Sequence, residues 1–274
     1  MRATGITCAI VVALCVSTFS VIIPASADHA TPCSDVTLVF ARGSGQQLGE
    51  REAPAFFDSV GNHLGSDVTV TRYELGTDSH GGARYQPVGG WRDLLEAEAS
   101  WTGVLGGQYR ASVAAGVVEL TTYLTQRTRD CPGEPFVVGG YSQGAQVVGE
   151  GLVALGSRTR DHIAFVALFS DPKLHLPEGG GPFPPACRGQ SSTWRRGTVS
   201  CWTDSGILEA RTPYVPEDIE GRTGSWCDRN DGTCNGNVAD WALHNDHAEY
   251  ADPGAEIDEA AREIADVLDD LLPR

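Results

Sequence analysis

A chain of 274 residues, 41% of them hydrophobic, is long enough for one large domain with a substantial buried core. Its 36 acidic side chains outnumber 20 basic ones, giving a net charge of -16. A field of that sign repels phosphate backbones and anionic lipid headgroups, so no nucleic acid partner is expected.

In chain order, residues 1–27 come first, with one charge, Arg2, an apolar stretch over 8–23, Pro24, and the small-residue run Ala25-Ser26-Ala27. This is the three-part pattern of a secretory signal peptide, with cleavage expected after Ala27 and a secreted product. The apolar run is too short and ends too abruptly for a membrane anchor. Neither Thr7 before Cys8 nor Leu14 before Cys15 suits a lipidated cysteine. No later segment is apolar enough to span a bilayer, so no stable membrane insertion is expected.

Removing 27 of 274 residues leaves 247, expected to form a single domain over 28–274. Arg2 is the only charge lost, so 19 basic against 36 acidic groups gives -17. Six cysteines remain: Cys33, Cys131, Cys187, Cys201, Cys227 and Cys234. An even number in an exported chain reads as three disulfides, for which about fifteen pairings exist. There is no CxxC pair to suggest a zinc site.

The run over 35–41, DVTLVFA, reads as a buried strand leading into the loop Arg42-Gly43-Ser44-Gly45. Residues 50–64 suit a helix, with Phe56, Phe57, Val60 and Leu64 on one side, and 67–73 alternate as a second strand. Residues 76–90 are rich in Gly and polar residues and read as a loop. A long helix is predicted over 104–129, where Val113, Val117, Leu120 and Leu124 recur at helical spacing. A third strand over 135–140 is followed at once by a helix over 142–155, and 162–170 form a fourth strand. Residues 172–226 are irregular and rich in Gly and Pro. They read as an insertion with one further strand near 221–226. The last helix carries Ile257, Ala261, Ile264, Val267, Leu268 and Leu271 as an apolar stripe. Strands alternating with helices argue for an α/β fold, with a mostly parallel five-stranded sheet covered by helices on both faces.

Gly140-Tyr141-Ser142-Gln143-Gly144 has the form G-x-S-x-G between a strand and a helix. In that context the motif is a nucleophile elbow, because small residues two before and two after the serine let strand and helix approach through a sharp turn. A hydroxyl needs a histidine to take its proton and an acid to orient that histidine, and in this fold they follow in the order serine, acid, histidine. Two aspartates, Asp228 and Asp231, compete inside the loop between Cys227 and Cys234. Two histidines, His244 and His247, compete just before the last helix. Their i, i+3 spacing beside Asp246 and Glu249 is also compatible with a metal, but no ligand cluster completes such a site. No metal or other cofactor is expected.

Four ordered motifs then carry a resemblance: Phe40-Ala41-Arg42-Gly43-Ser44; Gly140-Tyr141-Ser142-Gln143-Gly144-Ala145; the C-x-x-x-D-x-x-C of Cys227, Asp231 and Cys234; and the H-x-x-Y of His247 and Tyr250. From about residue 33 onward the chain resembles the cutinase family of α/β-hydrolases, especially the secreted cutinase-like esterases of actinobacteria. The resemblance implies Ser142 as nucleophile, Asp231 as orienting acid and His247 as base. It also implies an oxyanion hole from the Gln143 N–H and from Ser44, with disulfides Cys33 to Cys131 and Cys227 to Cys234. Cys187 and Cys201 remain as a third pair.

The insertion is longer than in compact cutinases and includes Trp194, Trp202, Tyr214 and Trp226. It is read as a solvated appendage with its own small core, or as a flap beside the cleft. The expected activity is hydrolysis of carboxylic esters, either short to medium acyl esters, lipids or a cutin-like polyester, by a monomer. The same triad would serve an acyltransferase, and a catalytically inactive secreted binding protein is the remaining alternative.

Overall fold

The computed structural model describes residues 32–89, 104–174, 192–195, 198–199, 206–208, 210–228, 230–236, 247 and 249–272, with backbone alone at 104–106, 192–195 and 198–199. The expected signal peptide, Cys187, Cys201, Trp202 and His244 lie outside the described residues.

Strands β1 (Val36–Ala41), β2 (Val70–Glu74), β3 (Phe136–Tyr141), β4 (Ile163–Phe169), β5 (Ser192–Arg195), β6 (Thr198–Val199) and β7 (Thr223–Cys227) form one sheet in the order β2-β1-β3-β4-β7-β5-β6. The first five run parallel, in the arrangement expected for alternating strands and helices. The insertion departs from its expected form. It supplies β5 and β6 as an antiparallel extension on the β7 edge, in addition to β7 itself. Elements of four and two residues are too short to show a period in sequence.

Every residue of β1, β3, β4 and β7 is buried, which is why these segments read as continuous runs rather than as alternating ones. Helices α2 (Val104–Asp130) and α3 (Gln143–Ala154) cover one face, where Val39, Ala41, Val138 and Leu168 pack with Val113, Leu120 and Leu124. Helices α1 (Glu52–His63) and α7 (Glu256–Leu271) cover the other, over Leu38, Phe40, Val137 and Phe165. The alternation between faces slips once. The register of β3 on β4 jumps from Phe136↔Ile163 to Val137↔Phe165, leaving Ala164 as an extra residue. Short helices α4 (Ser157–Arg160), α5 (Glu217–Glu220) and α6 (Gly232–Asn235) complete the described elements. The described part of the insertion does not form a core of its own, because Leu208, Val215 and Ile219 join the α2/α3 face.

Buried polar groups hold the loop that follows β2. Glu119 of α2 accepts from the Tyr73 hydroxyl at 2.6 Å, from the Gly76 N–H at 2.7 Å and from the Tyr85 N–H. Three donors satisfy a carboxylate that burial would otherwise penalise. The Tyr85 hydroxyl in turn donates to the Arg42 carbonyl at 2.9 Å, which fixes the loop after β1.

The turn from β3 into α3 leaves no room for a side chain at either of its glycines. A Cβ on Gly144 would lie 1.9 Å from the Ala41 carbonyl oxygen, and one on Gly140 would lie 2.5 Å from the Gly144 oxygen. Since both obstacles are backbone, neither can swing aside. Gly144→Ala is therefore expected to destabilise the fold by more than about 3 kcal/mol, a cost reserved for severe core defects. Denaturant melting measures it, and a loss below about 1 kcal/mol would contradict the packing described.

Candidate active site

Parallel strands present their carboxyl ends to one edge of the sheet, and the chemistry-bearing residues gather there. Ser142 follows β3 directly, with φ 53° and ψ -120°, and it is almost fully buried. Backbone of that kind in a residue with a side chain stores strain of order 1–3 kcal/mol and marks sites where geometry is imposed. The strain is sustained by hydrogen bonds on both sides: the Ser142 N–H donates to the Phe169 carbonyl at 2.9 Å, and the Gln146 N–H donates to the Ser142 carbonyl at 3.2 Å.

The disulfide Cys227–Cys234 closes a seven-residue separation, and Asp231 sits inside that ring as the N-cap of α6. The other described disulfide joins Cys33, just before β1, to Cys131, just after α2. Asp231 is fully buried, and both its carboxylate oxygens lie 3.0 Å from His247 Nδ1. Its Oδ1 also accepts from the Thr233 N–H at 2.9 Å, and its Oδ2 from the Tyr250 hydroxyl at 2.9 Å. The Asp228 N–H donates to the Tyr250 oxygen at 2.8 Å, so the phenolic proton is directed at Asp231. Burial pushes the Tyr250 phenol well above its ordinary pKa and keeps it a donor. Of the two aspartates in the loop, Asp231 therefore meets His247, whereas the Asp228 carboxylate accepts from the Asn230 N–H.

Burial alone would raise the Asp231 carboxyl. The charge and hydrogen bond of His247, with the donors Ser170 and Thr233, outweigh it and hold the pKa below the usual carboxylate value. An ionised carboxylate accepts only, so Nδ1 of His247 carries a proton. The His247 ring lies 5.1 Å from the Tyr141 ring, and the Tyr141 hydroxyl donates to the His247 carbonyl. Among the described residues no hydrogen bond joins Ser142 Oγ to His247. Such contacts tighten when substrate enters.

Ser44 lies on the loop after β1, and its hydroxyl donates to Gln143 Oε1 at 3.1 Å. The Gln143 Nε2 in turn donates to Ser112 Oγ on α2 at 3.1 Å. Gln143 opens α3, so its backbone N–H has no acceptor within the helix. The Ser44 loop is braced from below. Gln46 Oε1 accepts from the Gly43 N–H at 2.7 Å, and Gln46 Nε2 donates to Glu52 of α1. Burial raises the Glu52 carboxyl above its ordinary value.

Three features escape motif reading. Glu52 and Gln46 form the brace just described. Ser170, at the end of β4, places its Oγ 2.8 Å from His247 Nδ1. Asp171, next in the chain, is buried and pairs at 2.7 Å with Arg211 of the insertion, whose guanidinium lies against Gly149 of α3. A cavity of about 550 Å³ lies at the opposite strand ends, between residues such as Glu134, His162, Arg222 and Leu271, but its lining holds no serine, threonine or cysteine. Among the described residues no helix is long and apolar enough to cross a membrane.

The model of the family described as Cutinase matches residues 32–261. The chain belongs to the cutinase family. Over 165 residues it is 31% identical to the carboxylesterase Culp1 of Mycobacterium tuberculosis, covering 58% of this chain and 62% of that protein. It is 34% identical over 148 residues to a cutinase of Hypocrea jecorina, covering 53% and 49%. The match thus spans less than two thirds of either relative. Among solved structures, a cutinase-like protein from Cryptococcus sp. superposes with a TM-score of 0.58 at 18% identity, covering 86% of this chain and 96% of that one. This likeness shows the α/β-hydrolase-type fold of the cutinase family.

The Asp231 shift has a thermodynamic consequence. With its folded value below the unfolded one, the ionised carboxylate contributes stability that is complete above about pH 4 to 5 and is lost as pH falls through the folded value. The stability difference between wild type and Asp231→Asn is therefore expected to shrink as pH falls below about 4. Urea melts above and below that pH test this, and a gap that widens on acidification would refute it.

Proposed function

We propose that the protein is a secreted serine esterase that hydrolyses carboxylic esters, such as short to medium acyl esters, lipids or a polyester, through an acyl-enzyme on Ser142. The observation that carries this reading is the Asp231 carboxylate 3.0 Å from His247 Nδ1, together with a serine in a strained elbow. Secretion is inferred from the signal-like pattern of residues 1–27 and is consistent with disulfides, which persist in oxidising compartments.

In the reaction, Ser142 Oγ attacks the ester carbonyl carbon as its proton passes to His247 Nε2. Negative charge develops on the former carbonyl oxygen, where the backbone N–H groups of Gln143 and Ser44 stabilise it. The carbon–oxygen bond to the alcohol breaks, and the imidazolium returns the proton to that leaving oxygen. Water then gives its proton to Nε2 and attacks the acyl-enzyme, releasing the acid and restoring Ser142. Throughout, Asp231 stays ionised and keeps the imidazole in its Nδ1–H tautomer.

Hydrolysis of p-nitrophenyl esters across acyl chain lengths tests the reading. Wild type is expected to turn over at least one member of the series, and Ser142→Ala to lose at least about 10³-fold in kcat. Equal activity of the two proteins would sink the esterase assignment. His247→Ala is expected to fall by a similar factor while His244→Ala keeps most of the activity, and the reverse result would move the base to His244. Reduction of the Cys227–Cys234 disulfide is expected to lower kcat, because the ring positions Asp231. Unchanged activity after confirmed reduction would remove that role.

A further inference from the structure

The ends of β3 and β4 are neighbours, paired at Tyr141↔Phe169, and each is followed by a serine with a positive φ. Ser142 has φ 53° and Ser170 has φ 51°. For Ser142 the strain belongs to the elbow. For Ser170 a turn alone gives no reason for it, because glycine would adopt that conformation without the roughly 1 kcal/mol penalty of a Cβ. A serine kept at a position that favours glycine indicates work for its hydroxyl.

The surroundings show what that work is. Ser170 is fully buried, and its N–H continues the sheet ladder to the Trp226 carbonyl at 2.9 Å, so its backbone is held in place. Its Oγ lies 2.8 Å from His247 Nδ1. Since the ionised Asp231 obliges Nδ1 to carry the proton, the Ser170 oxygen accepts a share of that N–H and cannot donate to it. Its own proton is then available to the Asp231 carboxylate, where it is among the groups that favour the ionised form.

We propose that Ser170 is a positioning residue of the catalytic centre, its hydroxyl bridging His247 Nδ1–H and the Asp231 carboxylate so that the imidazole keeps the orientation and tautomer that aim Nε2 at Ser142. The inference rests on the Ser142, His247 and Asp231 reading above. It adds a fourth side chain that acts through the histidine without touching substrate.

Other groups face this pair: Glu52 from α1, Tyr141 from β3, Tyr250 before α7, and Glu256 of α7 toward Asp231, with Arg51 beside Glu52. None changes in Ser170→Gly or Ser170→Ala. Both variants lose the hydroxyl, but glycine also relieves the strain while alanine retains it, so Ser170→Gly is expected to melt at or above the temperature of Ser170→Ala. If the bridge acts as proposed, both lose about tenfold in kcat on p-nitrophenyl butyrate, with KM within about twofold of wild type. The acidic limb of their kcat/KM profiles moves from its wild-type position, because the lost hydroxyl both contacted the imidazole and favoured the ionised Asp231.

The experiment measures kcat, KM and the pH profile of full-length wild type, both Ser170 variants and Ser142→Ala, with thermal melts confirming folded protein. A folded Ser170→Gly with wild-type kcat and an unmoved acidic limb overturns the proposal and leaves Ser170 a turn residue. An inert wild type instead removes the esterase reading on which the proposal stands.

Discussion

The approach of α3 to the first strand loop, made possible by the absence of a side chain at Gly144, is the constraint from which the rest of the site follows. The helix can start immediately after β3 only because its first turn lies against the Ala41 carbonyl. That closeness forces Ser142 into its strained turn and sets Gln143 against Ser44 on the neighbouring loop. Ser142 and the N–H of Gln143 are thus positioned by one packing contact rather than by separate devices. The cost in backbone strain is covered by fully buried strands on either side.

Asp231 and His247 are held by a different principle. Asp231 is removed from water entirely, yet every direction in which its carboxylate faces holds a donor: His247, Tyr250 and the Thr233 N–H, with the Ser170 hydroxyl within reach. A buried charge is tolerated when its hydrogen bonds are complete, and here they also fix which imidazole nitrogen bears the proton. Glu119 repeats the scheme beneath the Ser44 loop, with three donors and no catalytic task.

How far sequence carries differs by physical cause. The five parallel strands and the main helices were legible because buried strands and one-faced helices impose composition on every residue they contain. The α7 stripe of Ile257, Ala261, Ile264 and Leu268 is the clearest case. Ser142 and Asp231 were legible because glycines and cysteines at fixed offsets brace them. Ser170 was not, since a serine ending a strand bears no motif and its partner His247 is 77 positions away. Glu52 and Gln46 likewise act through three-dimensional neighbours, and β5 and β6 are too short for a period to show. The Gly and Pro content of the insertion speaks of irregular backbone, which says nothing of where Leu208, Val215 and Ile219 in its described part go.

Arg211 gives that last point a structural meaning. Its guanidinium fills the space over Gly149, on the helix that begins just after Ser142, and it neutralises Asp171, the residue after Ser170. Deleting the segment, or exchanging it for the shorter connection of a compact relative, would leave an acid sealed in the core without its counter-ion, one peptide from the histidine's neighbour. Arg211 thus ties this segment to the sheet, and loop grafting between members of the family would have to carry Arg211, Asp171 and the glycine beneath them as a single unit.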